Sequence, residues 1–132
     1  MSRYSVEVRY SECDMQQVVH NSVYLRWCDD LADSFFRDLD VDFGDGGWDV
    51  MVKASSISWT APARLRDVVD IDIDVPRIGT TSFDVAYHGS RDGEPLFEAT
   101  MTYVGVRRGT TETMTVPDGF RDAVARAGAA PT

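Results

Sequence analysis

The sequence contains few of the residue types that bind metals, form disulfides or cross membranes. It has two cysteines and two histidines among 132 residues. No HExxH, HxH or CxxC spacing occurs, so we expect no metal site. Cys13 and Cys28 do not make a disulfide framework, which favours a reducing, cytoplasmic location. No apolar run approaches about 18 residues, and the N-terminus lacks a signal peptide's apolar stretch, so we expect neither a membrane span nor a secretory leader.

Basic residues are also few, which limits the classes of partner. The sequence has 13 Lys and Arg residues against 22 Asp and Glu residues, which gives a net charge of −9. This charge opposes non-specific binding to nucleic acid and to anionic membranes. A phosphate-bearing substrate would need a local cluster of arginines, yet a solvated strand end explains any single arginine equally well. The sequence contains no Walker loop and no GxGxxG motif.

The rest of the composition is that of an ordinary globular protein. Hydrophobic residues make up 43% and charged residues 27% of the chain, which argues against disorder. The length suits one domain, and neither a repeat nor a linker divides it. We therefore expect a single domain over residues 1–132.

The residue pattern predicts a strand followed by one long helix. Residues 3–10 alternate between apolar and polar side chains, which is typical of a half-buried strand. Apolar residues then recur at steps of three and four from Tyr24 to Leu39, which predicts an amphipathic helix that begins near Asn21. Asn21 is a suitable N-cap, because its side-chain oxygen can accept a hydrogen bond from an unpaired backbone N–H.

Four further strands are predicted from alternation and turn residues. We expect the first at 50–61, with a bulge near Ser55–Ser56, and the second at 68–76. A turn at 77–80 leads to the third strand. The fourth is expected at 95–107, where apolar residues on both faces indicate an interior strand. The pattern also predicts a loop at 41–49, a hairpin at Arg91-Asp92-Gly93 and a short terminal helix at 118–127. Because only one long helix is available to cover the sheet, we predict an α+β fold in which five antiparallel strands wrap around it.

Asp14 is the first candidate for chemistry because it lies just before the helix start. Backbone N–H groups at a helix N-terminus have no partners of their own and bind oxyanions. A carboxylate beside such donors suits acyl transfer. A thioester makes few other demands, since its leaving thiol has a pKa of about 8.5 and departs without a strong acid. A purely structural role stays open, because aspartate is common in turns and caps.

Other catalytic pairs have less support. Glu12 and Asp14 could act as the paired carboxylates of a glycosidase, but a chain of 132 residues leaves little room for a sugar cleft. Glu12 is instead expected to face outward or to support the site. Cys13 with His20 suggests a Cys–His nucleophile, but alternation from Asp14 sends Cys13 towards the core. His20 either lines the cleft or lies outside it, and His88 is expected at the surface.

The order of these residues resembles the signature of hotdog-fold acyl-CoA thioesterases of the 4-hydroxybenzoyl-CoA thioesterase-like family. That signature reads approximately R-Y-x-E-x-D-x-x-G-x-V, followed shortly by Y-L at the helix start. Its counterparts here are Arg9-Tyr10, Glu12, Asp14, Val18-Val19, Asn21 and Tyr24-Leu25. The segment from Ile57 to Val104 is also similar, with an aromatic residue and a proline after the second strand, an aspartate entering the third and an I-G-x-x-S hairpin.

The resemblance implies a fold, an assembly and an activity. It implies a five-stranded antiparallel sheet around one long helix, in protomers that pair as a homodimer and further as a dimer of dimers. The implied reaction is hydrolysis of an acyl- or aroyl-CoA to the free acid and CoA, with no cofactor beyond the CoA of the substrate. The implied catalytic groups are Asp14, as nucleophile or general base, and the helix-start amide of Asn21, as donor to the thioester oxygen. The implied substrate-binding residues are Val18, Val19, His20, Tyr24 and Ser82, the last reaching the thioester from the partner protomer. We also expect Trp59 to line an apolar substrate pocket together with Tyr24 and the valines.

The chain departs from the family pattern at three positions. Gln16-Gln17 replace the usual glycine between the acid and the valines, and Arg66 replaces the glycine before Asp67. Glycine permits a positive φ or a close backbone approach. Some members carry histidine at the position of Asn21.

Three alternative functions stay open. A hydratase or dehydratase would need a histidine-bearing helix motif that is missing here. A thioesterase for carrier-protein thioesters would have to dock an acidic carrier on an acidic surface. A catalytically silent module that binds acyl-CoA is the third.

Overall fold

The computed structural model describes residues 2–39 and 47–128. In chain order the elements are β1 (Ser2–Glu7), α1 (Asn21–Asp38), β2 (Trp48–Trp59), β3 (Val68–Ile78), β4 (Ser82–Arg91), β5 (Glu94–Arg107) and α2 (Asp118–Arg126). A 3-10 turn, Tyr10–Glu12, lies between β1 and α1. Within the described residues, neither helix is long and apolar enough to cross a membrane.

The strands form one antiparallel sheet in the order β1-β3-β4-β5-β2. This confirms the predicted sequence of a strand, a long helix and four antiparallel strands, and β5 lies inside the sheet as predicted. The fold-class prediction named a single helix, whereas the described chain has two, since the short helix expected at 118–127 forms as α2. The hairpin is confirmed as well, because Asp92 and Gly93 both have positive φ, 51° and 81°.

Alternation buries one face of the sheet. The fully buried residues of β3 are Val69, Ile71, Ile73 and Val75. Aromatic side chains of both helices pack on this face. The ring centroid of Tyr24 on α1 lies 5.1 Å from that of Phe97 on β5, and the centroid of Phe120 on α2 lies 4.6 Å from that of Phe83 on β4. The start of α1 is thereby anchored to the sheet.

Gly89 allows Phe97 to occupy this position. The two residues are cross-strand partners on β4 and β5, and a Cβ on residue 89 would lie 2.1 Å from the Phe97 ring. Glycine is used in strands where another group approaches the backbone this closely. Because Phe97 packs against Tyr24, this glycine contributes to the placement of the helix start.

Three local boundaries differ from the prediction. β1 ends at Glu7, because the chain enters the 3-10 turn at Tyr10. The bulge of β2 lies between Val52 and Ala54, ahead of the predicted position. Of the loop predicted at 41–49, residues 41–46 lie outside the described part of the chain, and from Trp48 onward the chain is already in β2.

Candidate functional site

Asp14 stabilises a turn formed by residues 14–18, the Asp14 turn. The N–H of Asp14 donates to the carbonyl of Val18 at 2.9 Å, and the N–H of Gln17 donates to the carbonyl of Asp14 at 3.0 Å. The carboxylate oxygen Oδ1 accepts the N–H of Gln16 at 2.8 Å and lies 3.4 Å from the backbone nitrogen of Val18. This is the pairing that favours aspartate in turns. Within the described residues, Oδ2 accepts no hydrogen bond.

The Asp14 turn packs against the linker between β2 and β3. The N–H of Val19 donates to the carbonyl of Ala63 at 3.0 Å, and the N–H of Leu65 donates to the carbonyl of Gln17 at 3.1 Å. Helix α1 joins them, because the hydroxyl of Tyr24 accepts the N–H of Ala63 at 3.0 Å. The turn, the linker and the helix therefore hold one another in place.

A cavity of about 460 Å³ lies beside the Asp14 turn. We call it the carboxylate cavity. It is lined by Tyr10, Cys13, Asp14, Met15, Gln17, His20 and Leu65. Tyr10 and Met15 are strongly exposed, at 82% and 102%. His20 thus shares a cavity with Asp14, one of the two positions that the sequence left open for it.

Helix α1 begins at Asn21, but its N-cap is His20. The predicted capping role of Asn21 is wrong, because Asn21 is already helical while His20 has the non-helical φ and ψ of −59° and 141°. The N–H of Val23 donates to the carbonyl of His20 at 3.0 Å. Within the described residues, the N–H groups of Asn21 and Ser22 have no acceptor. The helix start therefore offers unpaired donors at the positive end of the helix dipole.

A second cavity, of about 290 Å³, lies at this helix start. We call it the apolar cavity. It is lined by Val18, Val19, Asn21, Tyr24, Trp59, Thr60, Ala61 and Pro62. The rings of Tyr24 and Trp59 meet edge to face with centroids 5.9 Å apart. Burial raises the pKa of the Tyr24 hydroxyl, with the hydrogen bond from Ala63 acting in the opposite direction, so this part of the wall is uncharged at neutral pH.

The structure distributes the predicted site residues over the two cavities. Asp14 and His20 line the carboxylate cavity. Five of the eight predicted residues line the apolar cavity, namely Val18, Val19, Asn21, Tyr24 and Trp59. Because His20 and Asn21 are consecutive, both cavities adjoin the chain at the helix start. Asp14 and Asn21 nevertheless line different cavities in the described chain. Ser82 lines neither cavity, and its hydroxyl accepts a hydrogen bond from Nη2 of Arg77 at 3.0 Å.

Cys13 is only half-buried, and it packs on the core while also lining the carboxylate cavity. Burial raises the pKa of its thiol, and the negative charges of Glu12 and Asp14 raise it further. A thiol held in its protonated form is a poor nucleophile, so the Cys–His alternative gains no support. In the part of the chain that the structure describes, no group of three or more His, Cys, Asp or Glu residues could hold a metal ion.

Tyr10 and Leu65 are among the residues of the carboxylate cavity to which the sequence analysis assigns no role. The alternation over residues 3–10 predicts that Tyr10 is an apolar position of a half-buried strand, but the strand ends at Glu7 and the 3-10 turn leaves the Tyr10 side chain exposed. Its place in the R-Y-x-E-x-D pattern was the available signal. Leu65 lies in the linker between β2 and β3, and its backbone hydrogen bond to Gln17 brings it to the cavity. No local sequence pattern identifies this residue.

The fold is similar to several solved structures. A hypothetical protein from Aquifex aeolicus aligns with a TM-score of 0.86 at 19% identity, over 94% of this chain and 99% of that one. A 1,4-dihydroxy-2-naphthoyl-CoA thioesterase from Synechocystis aligns with a TM-score of 0.83 at 18% identity, over 93% and 94%. A gentisyl-coenzyme A thioesterase aligns with a TM-score of 0.84 at 18% identity, over 93% and 99%. At such identities the similarity shows the fold, which is the expected hotdog architecture.

The family of the chain follows from its sequence match. No curated protein matches it significantly. Residues 8–124 match the family described as the thioesterase-like superfamily, and this range includes every residue that lines the two cavities. The chain therefore belongs to the thioesterase-like superfamily.

Proposed function

We propose that the protein hydrolyses an acyl- or aroyl-CoA thioester to the free acid and CoA. The observation that carries this proposal is the position of Asp14. Its exposed carboxylate lines a cavity next to the start of α1, where the first N–H groups are unpaired. Membership of the thioesterase-like superfamily supports thioester hydrolysis as the reaction class. The reaction needs no cofactor, since CoA is part of the substrate.

In the proposed reaction the donors at the helix start polarise the thioester carbonyl. Asp14 either attacks the carbonyl carbon through Oδ2 or takes a proton from an attacking water, and the C–S bond then breaks to release CoA thiolate. If Asp14 attacks, water afterwards hydrolyses the mixed anhydride and restores the carboxylate. The hydrogen bond from Gln16 to Oδ1 fixes the orientation of the carboxylate.

The apolar cavity suits the acyl group of the substrate. Its valines and the rings of Tyr24 and Trp59 offer an aromatic or medium-chain acyl group a complementary surface. Two of the similar structures are named as thioesterases of aromatic CoA esters, 1,4-dihydroxy-2-naphthoyl-CoA and gentisyl-CoA, which supports an aroyl group. The net charge of −9 disfavours docking of an acidic carrier protein, and this favours CoA.

A homodimer, assembled further as a dimer of dimers, would complete the site. Within one protomer Asp14 and Asn21 line separate cavities, and Tyr10, Met15 and Trp59 at their rims are exposed. A second copy that covers these rims would enclose the substrate and bring its own Ser82 to the thioester.

The test is thiol release from a panel of aliphatic and aromatic acyl-CoAs by the wild type and Asp14→Ala. We expect kcat to fall at least 10²-fold in the variant, roughly the loss seen when one oxyanion donor is removed. Asp33→Ala is a matched control, because Asp33 is an exposed acid whose pairing with Arg37 stays within α1, and it should retain full turnover. Near-full activity of Asp14→Ala would remove Asp14 from the mechanism.

A catalytically silent module that binds acyl-CoA is the second candidate. The separation of Asp14 and Asn21 between two cavities favours it, as does the use of Oδ1 within the turn. Saturable binding of acyl-CoA with no thiol release from any CoA or carrier-protein ester would establish this function instead.

A further inference from the structure

Glu12 connects three parts of the chain around the proposed site. Its Oε1 accepts the N–H of Arg9 at 2.8 Å, within the 3-10 turn. Its Oε2 accepts the indole Nε1–H of Trp27 on α1, also at 2.8 Å. Its backbone carbonyl accepts the N–H of His20, the N-cap of α1, at 2.9 Å. One residue thus links the segment before Asp14 to both the start and the second turn of the helix.

The helix side of this link is fixed in the core. Trp27 is only 5% exposed, and its ring meets that of Tyr24 edge to face at 5.3 Å. Tyr24 in turn lines the apolar cavity. If Glu12 were lost, the buried indole N–H would be left without an acceptor, which carries a desolvation penalty and favours rearrangement.

Glu12 itself is not placed to touch a substrate in either site cavity. It lines a third cavity, of about 390 Å³, together with Arg9, Arg26 and Trp27, and it lines neither the carboxylate nor the apolar cavity. Both of its carboxylate oxygens already accept hydrogen bonds. Any effect on the reaction must therefore be transmitted through the residues that it holds.

We propose that Glu12 is a positioning residue that fixes the Asp14 carboxylate relative to the donors at the start of α1. This inference rests on the proposed thioesterase function. Asp14 follows Glu12 by two residues, and Asn21 follows directly after the His20 N–H that Glu12 holds. Both reacting parts are thus anchored to one side chain and its own backbone. A displacement of about 1 Å between reacting groups can cost about 10²-fold in rate.

The experiment compares Glu12→Gln, Trp27→Phe and the double variant in thioester hydrolysis. In Glu12→Gln the side-chain amide has a single oxygen and cannot accept both N–H groups, and Trp27→Phe removes the indole donor. For each single variant we expect kcat to fall about 10- to 100-fold while KM changes less than about threefold. Glu12→Asp keeps the charge but shortens the side chain, and it should lose kcat to a similar extent. The double variant should lose less than the product of the single losses, because both changes break the same bond.

Asp72→Asn is the matched control. Asp72 likewise accepts two hydrogen bonds from another element, at 2.8 and 3.0 Å from Arg3 on β1, but it lies on the outer face of the sheet. It should keep wild-type kcat. Amide hydrogen exchange over residues 13–20 should be faster in Glu12→Gln and in Trp27→Phe than in the wild type and in Asp72→Asn.

Each alternative outcome has a distinct meaning. Unchanged kcat in Glu12→Gln and Trp27→Phe, or an equal loss of kcat in Asp72→Asn, would overturn the positioning role. If Glu12→Gln does not fold, Trp27→Phe decides alone. If the wild type hydrolyses no thioester, the proposed function fails, and amide hydrogen exchange then decides the role of Glu12. Exchange over residues 13–20 that is unchanged in Glu12→Gln and Trp27→Phe would overturn the positioning role, and faster exchange would support it.

Discussion

Gln17 and Arg66 both have a left-handed backbone, with φ of 62° and 70°. They occupy the positions at which the thioesterase pattern has glycine. This chain therefore has a positive φ at both positions although neither residue is glycine. The sequence could reveal both replacements, but it could not show that the positive φ persists. That geometry depends on long-range bonds, such as the one from Leu65 to the carbonyl of Gln17. A left-handed conformation costs a non-glycine residue about 1–2 kcal/mol.

Gln17→Gly should therefore stabilise the protein. The relief of backbone strain is partly offset by the greater entropy of glycine in the unfolded chain, and we expect a net gain of about 0.5–1 kcal/mol in the free energy of unfolding. Gln16→Gly is the control, because Gln16 is not among the positive-φ residues, and it should lower stability instead. Urea titration of the three proteins measures both changes. A loss of stability in Gln17→Gly would show that its backbone is not strained.

The elements that the sequence predicted well are those whose signal is local. The alternation from Val69 to Val75 and the helical spacing after Tyr24 depend only on near neighbours, and β3 and α1 form as expected. The elements that were misplaced depend on distant partners. The 3-10 turn that removes Tyr10 from the core is held by Glu12 and, through it, by Trp27. The bulge in β2 is set by its pairing with β5.

On the outer face of the sheet, Asp84 should make stability depend on pH. Its carboxylate pairs with Arg77 at 2.9 Å and accepts the hydroxyl of Thr102 at 2.7 Å. The hydrogen bond from Arg77 lowers the pKa of Asp84, and that from Thr102 adds to the effect. Because the folded pKa lies below the unfolded value of about 3.9, the folded state binds fewer protons. This contribution is present above about pH 4 and is lost as the pH falls through the folded pKa.

Asp84→Asn should accordingly lower the Tm at pH 7, and the difference from the wild type should shrink below about pH 4. Thermal unfolding at pH 7, 5, 4 and 3 measures it. Asp33→Asn, which breaks an exposed pair within one helix, should change Tm little, as exposed pairs contribute about 0–1 kcal/mol. A Tm difference for Asp84→Asn that stays constant down to pH 3 would contradict the assigned role of the carboxylate.

At the scale of the whole molecule, the two cavities depend on contacts that no local pattern encodes. The Asp14 turn meets the β2–β3 linker, and residues far apart in sequence, such as Val18 and Trp59, line one cavity. Together with the family resemblance, the sequence identified five of the eight residues that line the apolar cavity. A family signature can do this because its positions lie together in the folded protein even where no local pattern relates them. It could not show that Asp14 and Asn21 line different cavities of the chain, since that depends on how the turn and the linker pack.

Strand β2 is the surface on which we expect a second copy to dock. It is a long edge strand, Trp48–Trp59, paired only with β5 among the described residues. Met51, Val52 and Trp59 expose 45%, 47% and 44% of their surfaces. An unpaired edge of this length readily pairs with another strand, and Trp59 at its end also lines the apolar cavity.

A double variant, Met51→Glu with Val52→Glu, should therefore dissociate the protein to a monomer of 14.7 kDa, since symmetry would bring the new charges of two copies together. Val68→Glu is the control: Val68 is also 53% exposed, but it lies on β3, which is paired on both sides, so the oligomer should persist. Light scattering after size exclusion gives the masses, and thiol release on the same samples tests whether the monomer has lost turnover. A wild type that is already monomeric, or a double variant that keeps its mass, would show that β2 is not the interface. A monomeric variant with full turnover would instead place the complete site within one protomer.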